Sequence, residues 1–275
     1  MNNLYINYKK TKLMGILNIN EDSFYDKSRF SPNNVINDIE NMIKDGASII
    51  DIGAISSKPG SKTIAPQEEL KRVKKVFDLI YKNKLYENIT FSIDSYTPVV
   101  IKYALDSGFK IVNDITGLKS DEVTSIIASY NAKVVIMHMQ NSPYNMQKNP
   151  KYNNIILDIE NFFIQRIDKA IKFGIKDIIL DVGIGFGKNL EHNLTLLKNL
   201  QYYHKFNYKL LIGASRKSMI NDIVKSDIKD RLPGSLAIHL YSINKGVSII
   251  RCHDIKEHYQ AIKIKEAILK MDEIC

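Results

Sequence analysis

The chain has 275 residues, 44% hydrophobic and 25% charged, which excludes a disordered or fibrous protein and leaves room for a large buried core. Its net charge of +9 comes from lysines spread along helical faces, as in KRVKK and AIKIKEAILK, so a solvated basic surface is expected and nucleic acid is not an expected partner. The opening MNNLYINYKK has no apolar signal-peptide centre, no run of about 18 apolar residues follows, and Cys252 and Cys275 supply no disulfide framework; a soluble cytoplasmic protein without membrane contact is expected.

Short apolar, β-branched runs recur, each followed by a polar loop and an amphipathic segment. KLMGILN (12–18) comes first, and the helix after it opens at Ser31-Pro32 and closes at Gly46. ASIIDIG (47–53) leads to a helix near PQEELKRVKKVFDLI, where Leu70, Val73, Val76, Phe77 and Ile80 have the spacing of one buried stripe. ITFSID (89–94) precedes a third helix that opens at Thr97-Pro98, with Thr97 as its expected cap, and closes at Gly108. KIVND (110–114) and KVVIMH (133–138) follow, and the fifth helix ends at Gly174. DIILDVG (177–183), KLLIGAS (209–215) and VSIIRCHD (247–254) complete the set. No Pro/Gly/Ser-rich linker or low-complexity block divides the chain, so residues 1–275 read as a single domain. Eight strand–helix alternations with nearly continuous apolar strands predict an α/β protein with a parallel sheet covered by helices. Eight is the number that closes a (β/α)8 TIM barrel; an open doubly wound sheet is the alternative.

Almost every strand ends in a residue able to do polar chemistry: Asn18, Asp51, Asp94, Asn113, His138, Asp181, Ser215, Arg251 and His253. In a closed barrel these ends form one mouth. Asp51 lies two residues before Gly53 and reads equally as a structural bond into a neighbouring loop, so it is left out of the expected site, and Asp114 can serve its following turn. Asp94, Asn113 and Asp181 offer donors and acceptors to the edge of a flat, N–H-rich heterocycle; a guanidine-like edge pairs with a carboxylate through two charge-assisted bonds of about 1.5–3 kcal/mol each. Lys217, Arg251 and His253, with Lys58 on the second loop, are cations suited to an anionic leaving group. Asn18 supplies a neutral oxygen of the kind that holds Mg²⁺ together with water and phosphate oxygens. DVGIGFGKN (181–189) looks like a phosphate loop, but only three residues separate Gly183 from Gly187-Lys188, and Asn189 stands where a magnesium-binding hydroxyl is needed. No zinc spacing and no G-x-S-x-G elbow is present.

MGILNINEDSF, IIDIGAISSKPG, FSIDSYTP, IVNDITG, VVIMHMQNSP, LDVGIGFGKN, GASRKSMI and IIRCHD resemble, in this order, the motif blocks of bacterial dihydropteroate synthase, from residue 12 to about residue 260. The resemblance implies a TIM barrel that joins 6-hydroxymethyl-7,8-dihydropterin pyrophosphate to 4-aminobenzoate, forming 7,8-dihydropteroate and pyrophosphate in folate synthesis. It implies that Asp94, Asn113, Asp181 and Lys217 bind the pterin ring, that Asn18 contacts Mg²⁺, and that Arg251 and His253 hold the pyrophosphate. Ser57 and Lys58 would close over pyrophosphate and aminobenzoate, Ser218 would receive the aminobenzoate carboxylate, and Phe186 would form a wall beside it. The resemblance further implies a homodimer.

The chain departs from the family pattern in two loops. The first reads NINEDSFYDKSR, with Asn20, Glu21, Lys27 and Ser28 replacing Thr, Pro and two glycines; the second reads AISSKPG, with Ile55 in place of a glutamate. Lys58 keeps the charge of the usual arginine without its planar fork. Two other readings share the pterin set. A methyltransferase domain using methyl-tetrahydrofolate would not need SRKS or RCH, and a non-catalytic homologue would bind pterin without turnover.

Overall fold

The computed structural model describes residues 11–19, 32–54, 60–61 and 64–271. Eight parallel strands close a barrel in chain order: β1 (Lys12–Asn18), β2 (Ile49–Gly53), β3 (Thr90–Asp94), β4 (Ile111–Asp114), β5 (Lys133–Met137), β6 (Ile178–Asp181), β7 (Lys209–Ile212) and β8 (Ile249–Cys252). β1 pairs with β8 as well as β2, with Lys12 opposite Ile249 and Met14 opposite Ile49, so no edge is left open. The expected closed barrel is therefore observed, and the open sheet is not.

Nine α-helices lie among the described residues: α1 (Pro32–Lys44), α2 (Pro66–Lys82), α3 (Pro98–Asp106), α4 (Asp121–Ser129), α5 (Ile155–Lys172), α6 (Leu190–Lys198), α7 (Ser218–Ile223), α8 (Leu232–Asn244) and α9 (Ile255–Met271). The Pro-in, Gly-out boundaries hold for α1 and α3. Gly46 and Gly108 sit just past their helices at φ 105° and 92°, where a side chain would be strained. α7 is a short extra helix between β7 and α8 that the alternation of apolar runs does not announce.

The strand period of two sorts the side chains into an outer and an inner set. Outward residues such as Leu13, Ile52, Phe91, Val112, Leu180 and Ile250 pack with the helices in one continuous core, where Val73, Val76, Phe77 and Ile80 of α2 form the expected stripe. The Phe77 ring lies tilted against Phe109 at 4.6 Å between centroids, and Phe109 in turn lies 5.3 Å from Phe91 on β3. Burial of each such ring contributes about 2–3 kcal/mol. Inward residues Met14, Ile49, Ile111, Val135, Ile179, Leu211 and Ile249 form a separate apolar plug in the barrel. Two residues further along these strands, Asp51, Asn113, Asp181 and Arg251 share the inward parity. The carboxyl end of the barrel is thus a polar layer seated on an apolar floor.

Candidate active site

The centre of that layer is an ion-pair cluster. Arg251 of β8 donates from Nε to Asp51 Oδ2 at 2.6 Å and from Nη2 to Asp94 Oδ2 at 2.7 Å. Asn113 Nδ2 donates to the same Asp51 oxygen at 3.0 Å. Asp51 is fully buried, and an ionised carboxylate in such a place needs a cation and donors around it. Asp51 thus belongs to the site after all. An aspartate amid the apolar run IIDIG was the available signal, since a charge on a strand buried on both faces must have a buried partner. Burial pushes the Asp94 carboxyl up, with Arg251 opposing and the Asp51 charge reinforcing. The guanidinium reaches across both acids, and Nη1 is the nitrogen not spent on them.

Asp181 closes the opposite side. Its Oδ1 accepts from the Gly183 N–H at 2.8 Å, and burial raises its carboxyl to about 6. Gly183 has φ 70°, and a Cβ there would stand 1.9 Å from His138 O, so the turn admits no side chain. His138 is not a rim residue: it is 7% exposed and its Nδ1 lies 3.0 Å from Lys188 Nζ. Lys188 also donates to His138 O at 3.3 Å and Phe186 O at 2.9 Å. Three acceptors meet three ammonium protons, so this lysine clips the β6 loop to the end of β5 and is turned away from any phosphate. Burial holds it down at about 7. Phe186 packs with Ile115, Met137 and Met146, and Lys217 Nζ sits 4.1 Å from its ring centroid, within cation–π range.

The loops after β7 and β8 carry the remaining groups. Burial and the nearby Arg251 charge lower Lys217 to about 8. Ser218 begins α7 and is exposed. The preceding Arg216 has φ 56°, a conformation costing about 1–3 kcal/mol, held by a guanidinium fork on the Asp254 carboxylate. Ser215 Oγ accepts from the His253 N–H at 3.3 Å and lies 3.0 Å from His253 Nδ1. A serine hydroxyl has two lone pairs besides its proton, so either partner can donate across the Ser215–Nδ1 contact. Desolvation of the ring, then Arg251, hold His253 far below the usual imidazole range, at about 4. It enters the site as a neutral imidazole, not as the cation expected from its residue type.

Two acids brace the rim. Glu69 of α2 is fully buried and accepts from Ser95 Oγ at 2.6 Å and from Thr97 Oγ1. Thr97 does not cap α3 with its side chain, because the buried carboxylate takes its hydroxyl proton; the Thr97 N–H turns to Ser95 Oγ instead, at 3.0 Å. The segment after Asp94 is thereby tied to α2. Asp114 serves its own turn as expected, accepting from Thr116 N and Oγ1 and from Leu118 N at 2.7–2.8 Å.

Of the expected site, the structure brings together Asp94, Asn113, Asp181, Phe186, Lys217, Arg251 and His253, with Ser218 beside Lys217. Asn18 is exposed at the end of β1 on the same side. Ser57 and Lys58, with Asn20, Glu21, Lys27, Ser28 and Ile55, lie outside the described residues. No group of three His, Cys, Asp or Glu side chains suited to a metal occurs among the described residues, and no described helix is long and apolar enough to cross a membrane. One neutral amide oxygen at the mouth fits a magnesium ion that keeps most of its water, not a protein-caged metal.

The pterin binding enzyme family matches residues 14–253. Dihydropteroate synthase of Escherichia coli strain K12 is 39% identical over 266 residues, covering 95% of this chain and 93% of the relative. A crystal structure of Yersinia pestis dihydropteroate synthase with a sulfonamide drug complex superimposes with a TM-score of 0.89 at 35% identity, covering 96% of each chain. Clostridium difficile dihydropteroate synthase, crystallised in the presence of pteroic acid, gives a TM-score of 0.85 at 38% identity, covering 94% of this chain and 97% of the other. With likeness of this extent over both chains, and a mouth built from the acids, amide and cations described, this chain belongs to the pterin binding enzymes and, within them, to the dihydropteroate synthases.

Proposed function

We propose that the barrel mouth runs the dihydropteroate synthase reaction with a division of labour set by its charges. Asp51, Asp94 and Asp181 gather with Asn113, Arg251 and Lys217 at one barrel mouth, and this set of acids and an amide beside cations is the observation that carries the reading. It suits the N–H-rich edge of a pterin ring. Asp181 and Asn113 hold that edge, with Asp94 beside them braced by Arg251.

The reacting bond joins the pterin methylene carbon to a pyrophosphate oxygen. As it breaks, its electron pair leaves on pyrophosphate, and the developing charge is met by Lys217 and Arg251 Nη1, with His253 beside them. The carbon is left electron-poor, and Asp94 and Asp181 favour it. The lone pair of the 4-aminobenzoate amine forms the new C–N bond, and the amine proton passes to the departing pyrophosphate or to water. An aromatic amine is neutral at pH 7, so no strong base is needed. Phe186 and Ser218 would orient the aminobenzoate ring and carboxylate, with Ser57 and Lys58 closing from the second loop. Asn18 would hold Mg²⁺, which when bound neutralises pyrophosphate charge. The homodimer implied by the resemblance belongs to this reading and is tested by sedimentation equilibrium.

The decisive measurement is pyrophosphate release from the dihydropterin pyrophosphate, with and without 4-aminobenzoate. Release that depends on aminobenzoate, with dihydropteroate formed, is expected. Pterin binding without release would favour the non-catalytic reading.

A further inference from the structure

Behind the mouth, the loops after β7 and β8 are joined by a chain of groups that the chemistry above does not use. The Ala214 N–H donates to His239 Nε2 at 3.1 Å, His239 Nδ1 lies 2.7 Å from His258 Nε2, and His258 Nδ1 lies 2.6 Å from Asp254 O. His239 comes from α8 and His258 from α9, and each is 1% exposed.

The two ends of this chain dictate where its protons are. A peptide N–H only donates and a peptide carbonyl only accepts. His239 Nε2 is therefore bare, and its single proton sits on Nδ1 and is given to His258 Nε2. His258 in turn carries its proton on Nδ1, toward Asp254 O. Both rings are neutral and both adopt the Nδ1–H form. A second proton on His239 would face the Ala214 N–H, and one on His258 Nε2 would face the proton of His239. The charged groups around the pair are Asp254, whose carboxylate is occupied by Arg216, and Glu257 on the helix that carries His258. Burial holds both imidazoles below their usual range, His239 at about 3, in agreement with the proton count.

Ala214 opens the segment Ser215-Arg216-Lys217, and Asp254 follows His253. The same two loops are also stitched in front by Ser215 and His253 and at the side by Arg216 and Asp254. We propose that His239 and His258 are positioning residues for the reaction: a proton-ordered imidazole pair that holds the Ala214 and Asp254 backbones in one register and so sets Lys217 against Arg251 and His253. The proposal rests on the assignment of those three groups to the pyrophosphate-bearing pterin.

The chain has six histidines, so long-range proton–nitrogen spectra of the labelled full chain resolve each ring, and His239→Gln and His258→Gln variants assign the two signals. At pH 7 both rings are expected as Nδ1–H tautomers. Either ring found as Nε2–H or as imidazolium overturns the proposal, whatever the substrate. In kinetics, His239→Leu should lower kcat about tenfold per folded molecule, from two lost hydrogen bonds, while His239→Gln, which can both donate and accept, recovers most of it. A lower Tm with kcat per folded molecule unchanged would mean a purely structural pair and would also overturn it. If the leucine variant does not fold, the spectra of the unaltered chain decide. Absence of turnover in the unaltered chain counts against the reaction assignment, not against the proton order.

Discussion

Replacing Asp51 by alanine removes one oxygen that serves two buried donors, Arg251 Nε at 2.6 Å and Asn113 Nδ2 at 3.0 Å. The charge-assisted bond is worth about 1.5–3 kcal/mol and the amide bond about 1 kcal/mol. Arg251 retains Asp94, so its charge is not left wholly unpaired, and the expected loss is about 3–4 kcal/mol, near the lower end for breaking a buried pair. Asp51→Asn keeps an acceptor and should cost about half as much. Both changes also act on the ligand. With the Asp51 carboxylate gone, Arg251 is drawn to Asp94 alone, and the pterin edge loses one neighbouring acid. Urea unfolding of the apo-protein gives the first quantity, and calorimetric titration with 6-hydroxymethylpterin the second. An Asp51→Ala protein within about 0.5 kcal/mol of the unaltered chain, the scale of ordinary surface changes, and with the same pterin affinity, would refute the central role given to this carboxylate.

Lys188→Met keeps length and apolarity but drops the clip on Phe186 O and His138. KM for 4-aminobenzoate should rise about 5- to 30-fold from the loosened Phe186 wall, with pterin affinity nearly unchanged; equal losses for both ligands in calorimetry would argue against a wall-setting role. Gly183→Ala must fit a Cβ 1.9 Å from His138 O at φ 70°, whereas Gly60→Ala, at φ 82°, meets nothing within 4 Å. The first should cost more than about 3 kcal/mol and the second about 1 kcal/mol; similar unfolding midpoints for the two would show that the β6 turn is less tight than described. The buried histidines set an acid limit. His239 is held at about 3, so below its unfolded value near 6.5 the unfolded chain takes up a proton the native state refuses, and stability falls as pH falls. Between pH 7 and 5 this contributes a loss of about 2 kcal/mol, which His239→Gln should remove. Asp181, raised to about 6, works with the opposite sign, its native form gaining relative stability as pH falls through that value. Comparison of the variant with the unaltered chain isolates the histidine contribution.

Much of this architecture was readable along the chain. Pro32, Pro98, Gly46 and Gly108 mark helix ends because proline and glycine act through local backbone geometry, and the runs of Ile and Val mark strands because a sheet covered on both faces must be apolar throughout. Asp181 and Asn113 stood out as candidate site residues because they end apolar strands, and period two gives them the parity of the plug residues Ile179 and Ile111. Other features depend on which distant groups meet. Arg251 was expected at a pyrophosphate, yet two of its nitrogens are committed to Asp51 and Asp94, 200 and 157 residues away in sequence. His253 was expected as a cation, and desolvation of its ring with the Arg251 charge beside it keeps it neutral. Lys188 stood in a glycine-rich loop that resembles a phosphate cradle, but His138 and Phe186 O turn it inward. Thr97 was expected as a helix cap until buried Glu69 took its proton. Hydrophobic period and turn chemistry are local and determine the eight strand–helix units from the sequence itself; closure through the β1–β8 pairing, and the charge state and orientation of each polar side chain, depend on partners from other strands and on desolvation, and those exist only in the tertiary structure.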